Sequence, residues 1–386
     1  MTDFDSITAA QLAEQGSLKW TMFPDVINAW VAEMDFGTAP AIRSALQSAV
    51  ERAQLGYLPP AVRANLAEAC AAWYRNNCGW DIPVERIQPL PDVLKGLEVA
   101  LTHYSAPGSA VIVPTPAYMP FLTIPENLGR AVIRVPMVQD SEGRYHYDLE
   151  AVDAAFAAGA GTLVICNPHN PLGQVLGRDE ALAIAEIVTK HGGRVFSDEI
   201  HAPLTPKDRT HVPYASVSEA AASHTITAVS ASKGWNLAGT KCAQLILSNN
   251  ADLAAFEPHK FDISHGASTL GAIANTAAYS AGGSWLATTI DYLDGNRGHL
   301  TRLIDEHLPG AVFFPPEATY LAWIDCRPLN LPDNPVTFFA EHAQVVATDG
   351  AGCGAPGFIR FNFAMPRPLL TEALERMGRA VATHSA

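Results

Sequence analysis

Within Ser230-Ala231-Ser232-Lys233-Gly234-Trp235-Asn236, a lysine stands among small hydroxyl residues directly after the β-branched run Thr225-Ile226-Thr227-Ala228-Val229. Such a run reads as a buried strand. An ammonium at the mouth of a buried strand is costly to desolvate, or gives up its proton at a lower pH than usual. The resulting neutral amine is a nucleophile, used in Schiff bases to a carbonyl or to pyridoxal phosphate. A helix-capping serine followed by a solvated lysine would leave the same pattern, so other residues must decide.

Val195-Phe196-Ser197-Asp198-Glu199-Ile200-His201 places a carboxylate at the end of another hydrophobic run, with an imidazole three residues on. A buried aspartate needs a cation or a donor, and a pyridinium nitrogen would serve. A metal ligand or a capping aspartate also fits, although neither accounts for Lys233. Cys166-Asn167-Pro168-His169-Asn170-Pro171-Leu172-Gly173 carries two Asn-Pro pairs that force extended and turn geometry. Asn170 can offer its amide to a phenolate oxygen, or simply belong to a tight connection. Tyr118, in Pro114-Thr115-Pro116-Ala117-Tyr118, can stack on a planar ligand or fill a core. Leu90-Pro91-Asp92-Val93-Leu94-Lys95-Gly96 opens a helix, whose free N–H groups suit a phosphate; it lacks the glycines of a nucleotide loop.

These residues fall at the ends of strands. Short buried runs at 110–114, 131–135, 161–166, 194–197, 225–230 and 241–247 alternate with helical stretches such as 179–191, which predicts an α/β fold with a mostly parallel sheet covered on both faces. Ligands of such sheets gather at the carboxyl ends of the strands. Before them, 39–77 reads as two amphipathic helices separated by a turn at Gly56-Tyr57-Leu58-Pro59-Pro60. After them, 268–307 is helical with an interruption at Gly282-Gly283. Residues 311–386 mix strands (320–325, 358–363) with helices (335–342, 369–383), as a smaller α+β domain would. The expected division is 1–47 as an N-terminal segment contributing to the small domain, 48–284 as the large domain and 285–386 as the small C-terminal domain.

The 386 residues can bury a large core, and the apolar fraction of 48% is that of a globular protein. A net charge of −14 with no Lys/Arg cluster argues against nucleic acid or an anionic membrane as a partner. The six cysteines show no CxxC or zinc spacing, so reduced core thiols and no metal site are expected. No secretory h-region and no run of spanning length is present, which predicts a cytoplasmic location.

The set Asn170, Asp198, Ser230, Ser232, Lys233 and Arg360 resembles the fold-type I pyridoxal phosphate enzymes of the class I/II aminotransferase superfamily over nearly the full chain. Trp30-Val31-Ala32-Glu33-Met34-Asp35-Phe36, Ser197-Asp198-Glu199-Ile200-His201 and Ser232-Lys233-Gly234-Trp235-Asn236-Leu237-Ala238-Gly239 resemble, more narrowly, its MalY/PatB-like cystathionine β-lyase (C–S lyase) branch. The resemblance implies a pyridoxal phosphate-dependent transferase-like fold with a seven-stranded sheet. It implies that Lys233 carries the cofactor and then acts as base at Cα, that Asp198 pairs with the pyridine nitrogen, and that Tyr118 stacks on the ring as a third catalytic residue. Asn170 and His201 would lie near the phenolic oxygen. Ser230, Ser232, Lys241 and the backbone of Val93 and Leu94 would hold the phosphate, with Tyr57 reaching across from a partner in a homodimer. Arg360 would take the substrate carboxylate as a fork, with Asp35 and Asn170 beside it.

Three residues depart from the branch: Glu33 where aspartate is usual, Asp92 in the phosphate turn, and Lys241 where arginine is common. The implied activity is α,β-elimination from cystathionine or related cysteine S-conjugates. An aminotransferase needs the same lysine, aspartate and arginine, and a non-catalytic regulator could keep the fold. Tyr320, Trp323 and Trp235 are candidate walls for the leaving-group pocket, although core packing is the commoner role for residues of this kind.

Overall fold

In a computed structural model that describes residues 3–384, seven strands form one sheet. They are β1 (Ile87–Leu90), β2 (Ala110–Thr115), β3 (Val132–Pro136), β4 (Ala160–Cys166), β5 (Arg194–Asp198), β6 (Thr225–Val229) and β7 (Ala243–Leu247). Their order across the sheet is β1-β7-β6-β5-β4-β2-β3. Pairs β2–β3, β2–β4, β4–β5 and β5–β6 are parallel, and β7 runs against both its neighbours. Six expected strands lie within a few residues of their places. The seventh, β1, has no legible signal because Pro89 interrupts a four-residue run; at a sheet edge its missing N–H costs no ladder bond. Strand β7 starts at Ala243 because Lys241 has φ +50°, outside the strand region.

Alternate side chains divide between two helical layers, as strand geometry requires. On β5, Val195 packs with Ile165, Ile184 and Val188 on one face, while Phe196 packs with Leu97, Ala228 and Leu245 on the other. The principal helices are α1 (Pro40–Glu51), α2 (Pro60–Cys78), α3 (Val93–His103), α4 (Arg178–His191), α5 (Thr269–Ala281), α6 (Gly283–His307) and α7 (Arg367–His384). Helix α4 carries Asp179 and Glu180 in its first turn and Lys190 and His191 in its last, matching its dipole. Gly96 lets α3 lie close against the sheet: a Cβ there would sit 2.9 Å from Ala228 Cβ and 3.3 Å from the Phe196 ring. That approach fixes the N-terminus of α3 beside the end of β6.

A second, antiparallel sheet contains β8 (Val312–Phe313), β9 (Leu321–Asp325), β10 (Thr348–Asp349) and β11 (Phe358–Asn362), ordered β8-β9-β11-β10. Helices α6 and α7 pack together beside it. The N-terminal residues join this region: Ile27–Asn28 pairs in parallel with Val345–Val346, and Phe4, Leu12 and Trp20 share a core with Leu321, Phe361 and Leu370. Residues 29–38 then cross between the two regions as irregular backbone held by two asparagines. Asn362 Nδ2 donates to the Val31 and Glu33 carbonyls at 2.6 and 2.7 Å. Asn236 donates to Met34 O at 2.9 Å and accepts from Met34 N at 3.0 Å. Among the described residues no helix is long and apolar enough to cross a membrane.

Candidate active site

Parallel strands bring their last residues to one edge, and the unusual side chains collect there around a cavity of about 390 Å³. At the end of β6, Ser230 Oγ donates to Cys242 O at 2.7 Å and accepts the Ser232 N–H at 3.0 Å, while Asn275 Oδ1 takes the Ala231 N–H at 3.0 Å. The turn so fixed presents Lys233, whose Nζ donates to Ala32 O at 2.8 Å. Burial lowers the amine to about 8; neighbouring Arg360 adds to this, and Glu33 and Asp198 oppose it. The neutral, nucleophilic form of the lysine is therefore reached much nearer to ordinary pH than for a solvated lysine.

Asp198 ends β5, is 2% exposed and accepts the Ile200 N–H through Oδ1 at 3.0 Å. Burial raises its carboxyl to about 7 against the stabilising Ile200 bond, and Glu199 pushes the same way. Asp198 thus has the character of a buried acid short of a cation. His201 is also buried, with Nδ1 lacking a protein partner, and burial beside Lys233 and Arg360 keeps it neutral. Arg360, on β11, donates to Asn170 Oδ1 at 3.0 Å, Trp30 O at 3.1 Å and Thr348 Oγ1 at 3.2 Å, and its Nε is unpartnered. Tyr118 lines the same cavity, its ring edge-on to Phe121, and burial raises its hydroxyl. Val93, Leu94, Ser230, Ser232 and Lys241 line the end nearest α3. The first N–H groups of that helix have no acceptor within it.

Asp35 lies outside this cavity, as does Tyr57, whose expected place is the site of a partner. Asp35 is buried in an ion pair with Lys19 at 2.9 Å and accepts Trp20 Nε1 at 2.8 Å, and it is not among the residues that line the cavity. Its place in the Trp30 to Phe36 motif suggested the pocket; its carboxylate instead neutralises a fully buried ammonium. Tyr57 is 89% exposed and faces a different groove of about 960 Å³, beside Phe261 and His265. The three aromatic wall candidates are structural as well. Trp235 is in the core and donates to Gly282 O at 3.0 Å, Trp323 stacks on Phe358, and Tyr320 donates to Ala32 O at 2.9 Å. Sequence reasoning missed the main-chain contributions of Trp30 and Ala32, and with them Thr348 and Met119 in the wall. Carbonyl groups carry no side-chain pattern; the motif around Trp30 was the one available signal.

The amine, the buried carboxylate, the hydroxyls and the helix N-terminus suit a planar aldehyde that bears a phosphate and a basic ring nitrogen. The unpartnered His201 Nδ1 and Arg360 Nε leave two further polar groups for a guest. Pyridoxal phosphate fits that description.

The chain belongs to the aminotransferase class I and II family, whose model matches residues 24–377. Its relatives narrow the comparison. It is 40% identical over 371 residues to the cystathionine beta-lyase of Corynebacterium glutamicum, covering 95% of this chain and 97% of that one. The pyridoxal phosphate-bound C–S lyase of Staphylococcus hominis superposes with a TM-score of 0.90 at 27% identity, over 99% of both chains. Cystalysin of Treponema denticola, which contains pyridoxal 5'-phosphate, superposes with a TM-score of 0.91 at 29% identity over the whole of both chains.

Proposed function

We propose that this protein is a pyridoxal phosphate-dependent carbon–sulfur β-lyase that converts cystathionine or related cysteine S-conjugates, with water, to a thiol, pyruvate and ammonia. The observation that carries the proposal is one pocket holding an amine of lowered pKa, a buried carboxylate and a forked cation. The 40% identity to a cystathionine beta-lyase supports this substrate class. Pyridoxal phosphate, when bound, supplies an electrophilic carbonyl for Lys233 and an electron-poor ring that stabilises negative charge at the substrate Cα.

In this reading Asp198 faces the ring nitrogen, and a cation there would draw its carboxyl back into the ionised form. Arg360 binds the substrate carboxylate and turns Cα toward Lys233. Lys233 Nζ, freed when the substrate amine takes its place, would accept the Cα proton; the Cβ–S bond breaks and its electron pair leaves with sulfur. Asn170 steadies Arg360, while Tyr118 and His201 bound the ring. Val93, Leu94, Ser230, Ser232 and Lys241 hold the phosphate. Tyr57 completes the site of a second copy, so the working unit is a homodimer located in the cytoplasm. The division at residues 47 and 284 lets the region bearing Arg360 move against the region bearing Lys233.

Incubation of purified protein with cystathionine and no added keto acid tests the reading. Pyruvate, ammonia and a free thiol in equal amounts support it. Turnover that required a keto acid and released no ammonia would replace it with an aminotransferase. Sedimentation of wild type and Tyr57→Ala, with the cofactor affinity of each, tests the shared site.

A further inference from the structure

Asp92 puts a carboxylate where the proposed site must receive a phosphate. It is the N-cap of α3: its Oδ1 accepts the Lys95 N–H at 2.9 Å, and its Oδ2 meets the ammonium of Lys241. Both side chains line the cavity with Val93, Leu94, Ser230 and Ser232. An anion arriving there finds open N–H groups and the positive end of the helix dipole. It also finds the helix end already supplied with a negative charge and Lys241 already paired.

Capping does not require that charge. Asparagine and serine cap as well as aspartate does, through a neutral oxygen. Nor does Lys241 need an anchor to remain in place, because its backbone is fixed: its N–H donates to Ala238 O and its carbonyl accepts the Ser268 N–H at 3.1 Å. The carboxylate is thus an addition to the local structure rather than a condition of it.

We propose that Asp92 is an internal stand-in for the phosphate: it neutralises Lys241 and the α3 N-terminus in the cofactor-free protein and weakens their hold on pyridoxal phosphate. The proposal rests on the reading that the α3 end of the pocket takes the phosphate. Wild type then releases its cofactor more readily than a protein with the same cradle and no acid in it. The cofactor-free form is correspondingly relieved of an unbalanced positive cluster.

Titration of apoprotein with pyridoxal phosphate and, separately, with pyridoxal tests this, followed by absorbance of the Lys233-bound chromophore. Asp92→Asn and Asp92→Ser keep a capping oxygen and remove the charge. Each should bind pyridoxal phosphate about five- to thirtyfold more tightly than wild type, the range expected for one charge close to a dianion in a partly solvated site. Each should lose the cofactor more slowly to a carbonyl trap, and pyridoxal affinity should not change. Unchanged or weaker pyridoxal phosphate binding in correctly folded variants overturns the role of Asp92. If wild type bound pyridoxal as tightly as pyridoxal phosphate, the assignment of this end to the phosphate would fail, and the proposal with it. No chromophore with either compound would remove the cofactor reading itself.

Discussion

Lys233 Nζ and the carbonyl oxygen of Ala32 lie 2.8 Å apart across 201 residues of chain, and the same carbonyl accepts the Tyr320 hydroxyl at 2.9 Å. The reactive amine is therefore docked on the N-terminal segment. That segment is itself clamped by Asn236, three residues beyond the lysine, and by Asn362, two residues beyond Arg360.

The state of this amine sets the pH dependence of cofactor uptake. Its pKa is lowered to about 8, and the neutral form attacks a carbonyl. The rate of pyridoxal phosphate incorporation into apoprotein should rise about tenfold per pH unit below that value and level off above it. Stopped-flow absorbance between pH 6 and 9 measures it; a rate still rising tenfold per unit up to pH 9 would mean that the amine is not desolvated. Lys233→Ala should form no chromophore at any pH.

Asp198 gives an effect of the opposite sense on stability. Its carboxyl is raised from 3.8 to about 7 by burial, so the folded apoprotein binds a proton that the unfolded chain has released across that interval. Stability from this group falls as pH rises from about 4 through 7. Asp198→Asn should accordingly stabilise apoprotein at pH 8 by roughly 2–4 kcal/mol and leave it almost unchanged at pH 3, read from urea unfolding. The same variant should lose at least about a hundredfold in turnover, since catalysis needs the charge that folding alone disfavours.

Arg360 and Asn170 should act as a coupled pair. Arg360→Lys keeps the charge but loses the fork, and should raise KM for cystathionine about ten- to a hundredfold. Asn170→Ala frees one arm of the guanidinium and should raise KM by a smaller factor. A double-mutant cycle on kcat/KM then shows less loss in the double variant than the product of the two single losses. Multiplicative losses would mean that the 3.0 Å contact does not orient the arginine.

The Lys19–Asp35 pair makes a contrasting forecast. Both groups are buried, so Asp35→Asn leaves an unpaired ammonium and should cost about 3–5 kcal/mol of stability. KM in the folded variant should stay at the wild-type value. A doubly apolar replacement, Lys19→Met with Asp35→Leu, should recover much of the stability. A large rise in KM for Asp35→Asn would return that residue to the substrate site.

Six strands of the large sheet were readable because each is a short apolar run bounded by turn residues, and because chemistry-bearing residues follow the strand ends. Lys233 and Asp198 are singled out by one test, a charge beside sequence that must be buried; Arg360 is legible only through the family resemblance. Asp35 is placed by its motif alone, and a buried acid points to a cation without saying which. Its partner Lys19 sits in a stretch with no distinguishing pattern. Trp30 and Ala32 contribute through main-chain oxygens, and a carbonyl is present at every residue. Trp235 and Trp323 are core residues, the commoner role for large aromatic side chains, and their sequence neighbours do not separate that role from a pocket wall.

The reversed direction of β7 has a geometric consequence. In an uninterrupted parallel sheet the strand after β6 would begin at the far edge, about 16 Å away for a five-residue strand. Because β7 is antiparallel to β6, the chain leaves one strand and enters the next on the same rim. Residues 230–242 thus form a closed lobe with Ser230 at one foot and Lys241 near the other. Lengthening that lobe would displace Lys233 relative to both feet, whereas insertions at the opposite rim would leave all three where they are.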